Sequence, residues 1–163
     1  MDYLRQLDPA APSSARQDCI FCDAAACDPG SNQARQRLVL LQDEHGVMLL
    51  NKYPYTNGHL LIASNEHVQD LNALRPSQRG GLIELAAMAQ RLLETAINPQ
   101  GFNVGINLGA CAGAGIPGHL HLHVVPRWRG DTNFMQVFGN VRVIPQALEE
   151  SYQYLAQTLT KMS

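Results

Sequence analysis

The sequence predicts an α+β domain: a mostly antiparallel sheet of about five strands, one long central helix and a second helix at the C-terminus. Three observations carry this. Between residues 38 and 63 the apolar residues come in short runs separated by turn formers, the pattern of brief buried strands. Leu82, Leu85, Ala86, Ala89, Leu92, Leu93 and Ile97 then recur at helical spacing. Beyond them Phe102, Val104 and Ile106 alternate, as do Leu120, Leu122 and Val124, which is the period of a strand.

Each element follows in order. Residues 1–18, with Pro9 and Pro12 among small polar residues, read as a lead-in loop. A short helix is expected to open near Cys19 and run through Ala24-Ala25-Ala26, and Asp28-Pro29-Gly30-Ser31-Asn32 reads as a turn. Residues 38–42 and 47–50 form two strands around the turn Asp43-Glu44-His45-Gly46. Residues 51–58 are a loop, and 59–63 a third strand. Pro76 starts the long helix and Asn98-Pro99 ends it. The fourth strand runs to Asn107, and a Gly/Ala-rich loop covers 110–118. The fifth strand spans 119–125 and Pro126 closes it. Residues 127–145 read as irregular, and Leu148, Tyr152, Leu155 and Leu159 mark one face of the last helix. With no repeat or linker, residues 1–163 read as one domain.

Composition excludes several classes. The 163 residues are 45% hydrophobic and 16% charged, enough apolar material for a core and too little charge for a disordered chain. Twelve Lys and Arg against fourteen Asp and Glu give a net charge of −2, which argues against an extended nucleic-acid surface. No apolar run approaches the roughly 20 residues needed to span a bilayer. The first residues have no secretory h-region, so a cytoplasmic location and four unbridged cysteines are expected. Those cysteines read as metal ligands, core residues or reactive thiols.

The chemistry concentrates in six histidines, of which His119, His121 and His123 fall within five positions. On a strand they share one face, roughly 6.5–7 Å apart, and Leu120, Leu122 and Val124 share the other. Three crowded imidazoles cannot all carry charge, so at least one is neutral at pH 7. Neutral imidazole can be a metal ligand, a general base or a nucleophile, and a three-histidine metal site competes with a catalytic row. The loop just upstream holds Gly109, Gly113, Gly115 and Gly118, whose backbone N–H groups can approach anionic oxygens.

His119-Leu120-His121-Leu122-His123-Val124-Val125 resembles the signature of the histidine triad superfamily of nucleotide hydrolases and transferases. Asn51-Lys52-Tyr53-Pro54 followed by Gly58-His59 resembles that superfamily's N-x-x-P-x-x-x-G-H strand, and residues 102–107 resemble its nucleotide-site strand. The similarity covers residues 19–135, leaving 136–163 as a C-terminal extension and helix. Arg127-Trp128-Arg129-Gly130-Asp131 and the residues up to Met135 resemble the fragile-histidine-triad and diadenosine-tetraphosphate-phosphorylase branch.

The resemblance implies a HIT-like fold, a homodimer and cleavage of a nucleotide α-phosphate anhydride or ester. It makes His121 the nucleophile, forming a covalent nucleotidyl-histidine that water or phosphate resolves. His123 and the N–H groups of residues 114–118 would stabilise phosphate oxygens, and His59 would support His123. Asn51 would bind ribose hydroxyls and Asn107 a phosphate oxygen. Leu49 and Ile62 would help form the nucleobase slot. Trp128 would either close over the substrate or pack. Residues 112–118 carry no polar side chain, unlike relatives that place Gln, Ser or Thr before the triad.

Cys19 and Cys22 form a C-x-x-C that needs a second pair of ligands to hold structural zinc (Zn2+). By the same resemblance His67 and His119 complete it, with Cys27 a less well spaced substitute. No carboxylate pair that would hold Mg2+ is evident, so that ion is expected only with a polyphosphate substrate. Two alternatives remain at this level. One is a uridylyltransferase-like enzyme, disfavoured because Leu120 stands where its signature has proline. The other is a zinc-stabilised nucleotide-binding module without catalysis.

Overall fold

The computed structural model describes residues 19–131 and 148–162. The expected lead-in, 1–18, and residues 132–145 of the expected irregular stretch lie outside the described residues. So do Thr132 to Met135 of the branch-like segment.

Five strands form one antiparallel sheet: β1 (Val39–Gln42), β2 (Val47–Leu50), β3 (Leu60–Ala63), β4 (Gly101–Ile106) and β5 (His121–Arg127). Their order is β1-β2-β3-β5-β4, so β5 lies between β3 and β4. Among the described residues four α-helices accompany them: α1 (Ile20–Ala25), α2 (Asn32–Gln36), α3 (Pro76–Ile97) and α4 (Leu148–Met162). The α+β architecture is the one the sequence predicts. None of the described helices is long and apolar enough to cross a membrane.

Strands β1 to β3 are covered on both faces. Met48, Leu50, Leu60, Ile62, Leu120, Leu122 and Val124 pack with the buried stripe of α3 and with Tyr152 and Leu155 of α4. Val47, Leu49, Leu61 and Ala63 face the other way, with Phe21, Ala24 and Ala34 of α1 and α2 and the thiols Cys19 and Cys27. At roughly 25 cal/mol per Å², this two-sided burial supplies most of the fold's stabilisation.

The boundaries of α3 fall where Pro76 and Asn98 placed them, Asn98 capping the helix in the left-handed region at φ 45°. Gly58 also needs a positive φ, 78°, and a Cβ there would lie 2.7 Å from Ile97 Cδ1. The β3 turn therefore packs against the end of α3 only with glycine at 58.

Three expectations change. The turn at 28–32 leads into an unpredicted helix, α2, whose N-cap Ser31 accepts from the Ala34 N–H. β5 starts at His121 instead of His119, because the Leu120 N–H donates to the Val68 carbonyl, outside the ladder. Pro126 does not close β5, which continues to Arg127 with Pro126 opposite Phe102. β3 pairs with β5 only as far as Val124, so the N–H that Pro126 lacks falls where no strand remains. The Pro126 carbonyl on that side accepts from the Thr56 hydroxyl at 3.0 Å.

Candidate active site and metal centre

His119, His121 and His123 project to the face of the sheet opposite Leu120, Leu122 and Val124, as alternation requires. His119 and His121 are 1% and 5% exposed, far more enclosed than a solvated polar face. Phe21, between the two cysteines, packs on both rings, with centroids 5.3 Å from His119 and 4.7 Å from His121. The His121 and His123 rings are 5.1 Å apart.

Hydrogen bonds fix which nitrogen of each ring carries the proton. His121 Nδ1 lies 2.8 Å from the His119 carbonyl and must donate to it, so Nε2 keeps its lone pair. His119 Nε2 lies 2.7 Å from the Ser64 carbonyl and donates there, which turns the Nδ1 lone pair toward the cysteines. His59 Nδ1 accepts the Tyr55 N–H at 3.1 Å, and the Asn51 amide nitrogen lies at the same distance. His59 Nε2–H therefore donates to His123 Nδ1, 3.0 Å away. The His123 proton is left on Nε2, a buried donor with no partner among the described residues.

All four imidazoles are held neutral. Burial, followed by the charges of His123 and His121, lowers His59 to about 3. Burial and then His121 lower His123 to about 4. Burial lowers His121 and His119 too, against the raising effect of their bonds to the carbonyls.

The metal-ligand residues converge. Donor atoms of Cys19, Cys22, His67 and His119 all lie within 4.8 Å of one another. Cys19 Sγ is 3.2 Å from His119 Nδ1, and Cys22 Sγ is 3.2 Å from His67 Nδ1 and 3.6 Å from His119 Nδ1. Tetrahedral zinc bonds to sulfur and nitrogen imply S···N edges of roughly 3.5 Å, so the set fits such an ion. Cys27 is not in the cluster; its thiol donates to the Asp23 carbonyl at 3.2 Å.

Other expected residues fall in varied places. Asn51 is half-buried, its Oδ1 accepting the Tyr53 N–H, which leaves one amide hydrogen for a ligand. Asn107 donates weakly to the Gly113 carbonyl at 3.4 Å. Gly113, at φ 83°, and exposed Gly115 lie in the upstream loop. Leu49 shares the histidine face beside Phe21. Ile62 does not join it: fully buried on the α3 side of the sheet, it has no path to a nucleobase there. Trp128 is half-buried in the turn after β5, where its backbone N–H donates to Asp131. His45 is half-buried in the β1–β2 turn.

Sequence reasoning missed Phe21 and Tyr55. Phe21 read only as a spacer in the cysteine pair, and Tyr55 only as a loop residue. Tyr55 stacks on His123 with ring centroids 5.9 Å apart and planes 10° apart.

The HIT domain family matches residues 32–130. The chain belongs to the HIT family. It is 36% identical over 160 residues to the AP-4-A phosphorylase of Mycobacterium tuberculosis, covering 96% of this chain and 78% of that protein. The asymmetrical bis(5'-nucleosyl)-tetraphosphatase of Schizosaccharomyces pombe is 32% identical over 82 residues, 50% of this chain and 44% of that one. A zinc-bound histidine triad family protein from Mycobacterium smegmatis superposes with a TM-score of 0.70 at 28% identity, covering 91% of this chain and 97% of that one. The HIT fold is thus shared with solved structures, and the Cys/His cluster sits in a HIT chain similar to one solved with zinc.

Proposed function

We propose that this HIT protein cleaves the α-phosphate anhydride or ester of a nucleotide, with a dinucleoside polyphosphate as the substrate class, through a nucleotidyl-His121 intermediate. The observation that carries the reading is the pairing of two ring nitrogens with opposite roles. His121 presents a lone pair on Nε2, and its neighbour His123 presents an Nε2–H with no partner among the described residues.

His121 Nε2 attacks the α-phosphorus. An N–P bond forms, the P–O bond to the leaving group breaks, and the electron pair departs on that oxygen. The Nδ1–H bond to the His119 carbonyl supports the ring as it gains positive charge. His123 Nε2–H donates to the phosphoryl oxygens, aided by N–H groups of the 114–118 loop. Water then displaces His121, giving a nucleoside monophosphate and releasing a proton; phosphate in its place gives the diphosphate. Leu49 lines the nucleobase slot, Asn51 meets the ribose and Asn107 a phosphate oxygen.

Cys19, Cys22, His67 and His119 hold zinc, which supplies structural ligation tying α1 to the residue before β5. Two copies form a homodimer across the β4 edge, where Val104 is 50% and Leu108 42% exposed. The mechanism needs no membrane and no extended nucleic-acid surface, and a cytoplasmic location suits its reduced thiols.

Product analysis tests the function. Diadenosine tetraphosphate, adenosine 5'-phosphosulfate and an adenosine phosphoramidate are incubated with and without phosphate. Turnover of the dinucleotide is expected, with ADP formed only in added phosphate if the reaction is phosphorolysis and AMP formed without it if the reaction is hydrolysis. No turnover of any of the three would overturn the reading.

A further inference from the structure

An open groove of about 300 Å³ lies beside His123 and extends from it over β4. Asn103 and Gly105 of β4 and His123 and Val125 of β5 form its floor, on one face of the sheet, where Gly105 stands opposite His123 in the ladder. Tyr55 forms a wall. One face of its ring lies against His123, and the residue is 57% exposed. At the far end Asp131 grips the Arg127 guanidinium through two oxygens, at 2.5 and 2.7 Å, and the Asn103 amide oxygen accepts from it at 2.7 Å. The guanidinium charge is thus matched by a carboxylate inside the groove, which does not favour a bare phosphate there.

Position gives the groove its meaning. β5 has β3 on one side and β4 on the other. Leu49 and Phe21 lie toward β2, across β3, and the groove lies toward β4. Displacement at phosphorus sets the leaving group roughly in line with, and opposite, the attacking nitrogen. With the nucleoside on the β2 side and Phe21 packed on His121, the open space left beside the phosphate for the leaving group is the groove past His123, over β4.

We propose that this groove is a second nucleoside subsite, in which Tyr55 stacks the base at the far end of the leaving group. The proposal rests on the reading of His121 as nucleophile. An aromatic face binds any base, because every base has a π-face. With its oxygen held by Arg127, the Asn103 amide keeps its N–H groups as donors for a sugar. The volume is at the small end of ligand sites and suits one nucleoside. The subsite selects leaving groups that end in a base over those that end in sulfate or phosphate.

The test is a ratio: kcat/KM for diadenosine tetraphosphate divided by kcat/KM for adenosine 5'-phosphosulfate, whose leaving group carries no base. In Tyr55→Ala the ratio is expected to fall about tenfold, through KM for the dinucleotide, and Tyr55→Phe is expected to restore it. In the unmodified protein, KM for diadenosine tetraphosphate is expected about tenfold below that for adenosine 5'-tetraphosphate, which has the same phosphate chain and no second nucleoside. An unchanged ratio in Tyr55→Ala, or equal KM values for the two tetraphosphates, would overturn the subsite alone. A wild type inert toward every substrate would overturn the reading of His121 and the subsite with it.

Discussion

His119 and His123 stand four positions apart, face the same side and are both held neutral, yet they offer opposite ring atoms. His119 commits Nε2 to the Ser64 carbonyl and turns the Nδ1 lone pair to two thiols. His123 commits Nδ1 to His59 and keeps an Nε2–H with no partner among the described residues. One end of the row is closed, 1% exposed and walled by Phe21; the other borders an open groove. The difference shows that residue type does not set a histidine's role. The carbonyl, amide or imidazole on its second nitrogen sets it. His121, between them, takes its orientation from the closed end and acts toward the open one.

The sharpest way to break this contrast is at the closed end. Cys22→Ser is expected to bind less than a tenth of an equivalent of zinc, where the native chain binds about one per protomer. Loss of a structural metal that joins α1 to β5 should cost at least about 3 kcal/mol, roughly 10 °C in Tm for a chain of this size. Metal analysis and calorimetry read both. A native chain free of metal, with the same Tm as the variant, would remove the closed end as a metal centre.

The open end should respond in the other currency. His123→Ala is expected to lower kcat by about 10²–10³-fold, the loss typical of one donor to a developing oxyanion, with a smaller change in Tm than Cys22→Ser. A loss below tenfold would mean that this Nε2–H does not meet the phosphoryl group.

Much of this was legible in the sequence, for identifiable physical reasons. α3 declared itself by 22 residues of one period between Pro76 and Asn98. The histidine row announced its face by alternating with leucines. His67 and His119 were assigned to the cysteine pair only through family likeness, since no local pattern links positions 45 to 100 residues apart. Ile62 was misplaced because β3 reads Leu60-Leu61-Ile62-Ala63 and is buried on both faces, so period two carries no signal there. β5 outran Pro126 because β3 ends early, a fact of topology and not of composition. Phe21 and Tyr55 escaped notice because their importance lies in rings they meet about 100 and 68 positions away, a distance at which sequence spacing says nothing.

The central claim is that His121 Nε2 forms a bond to phosphorus. Rapid acid quench of the protein with diadenosine tetraphosphate, followed by peptide mass mapping, tests it directly. The account predicts an adenylyl adduct on the peptide bearing His121, absent in His121→Asn, whose turnover should fall at least about 10⁴-fold while nucleotide binding remains measurable. Wild-type-like turnover in His121→Asn, or an adduct mapped to another residue, would contradict it.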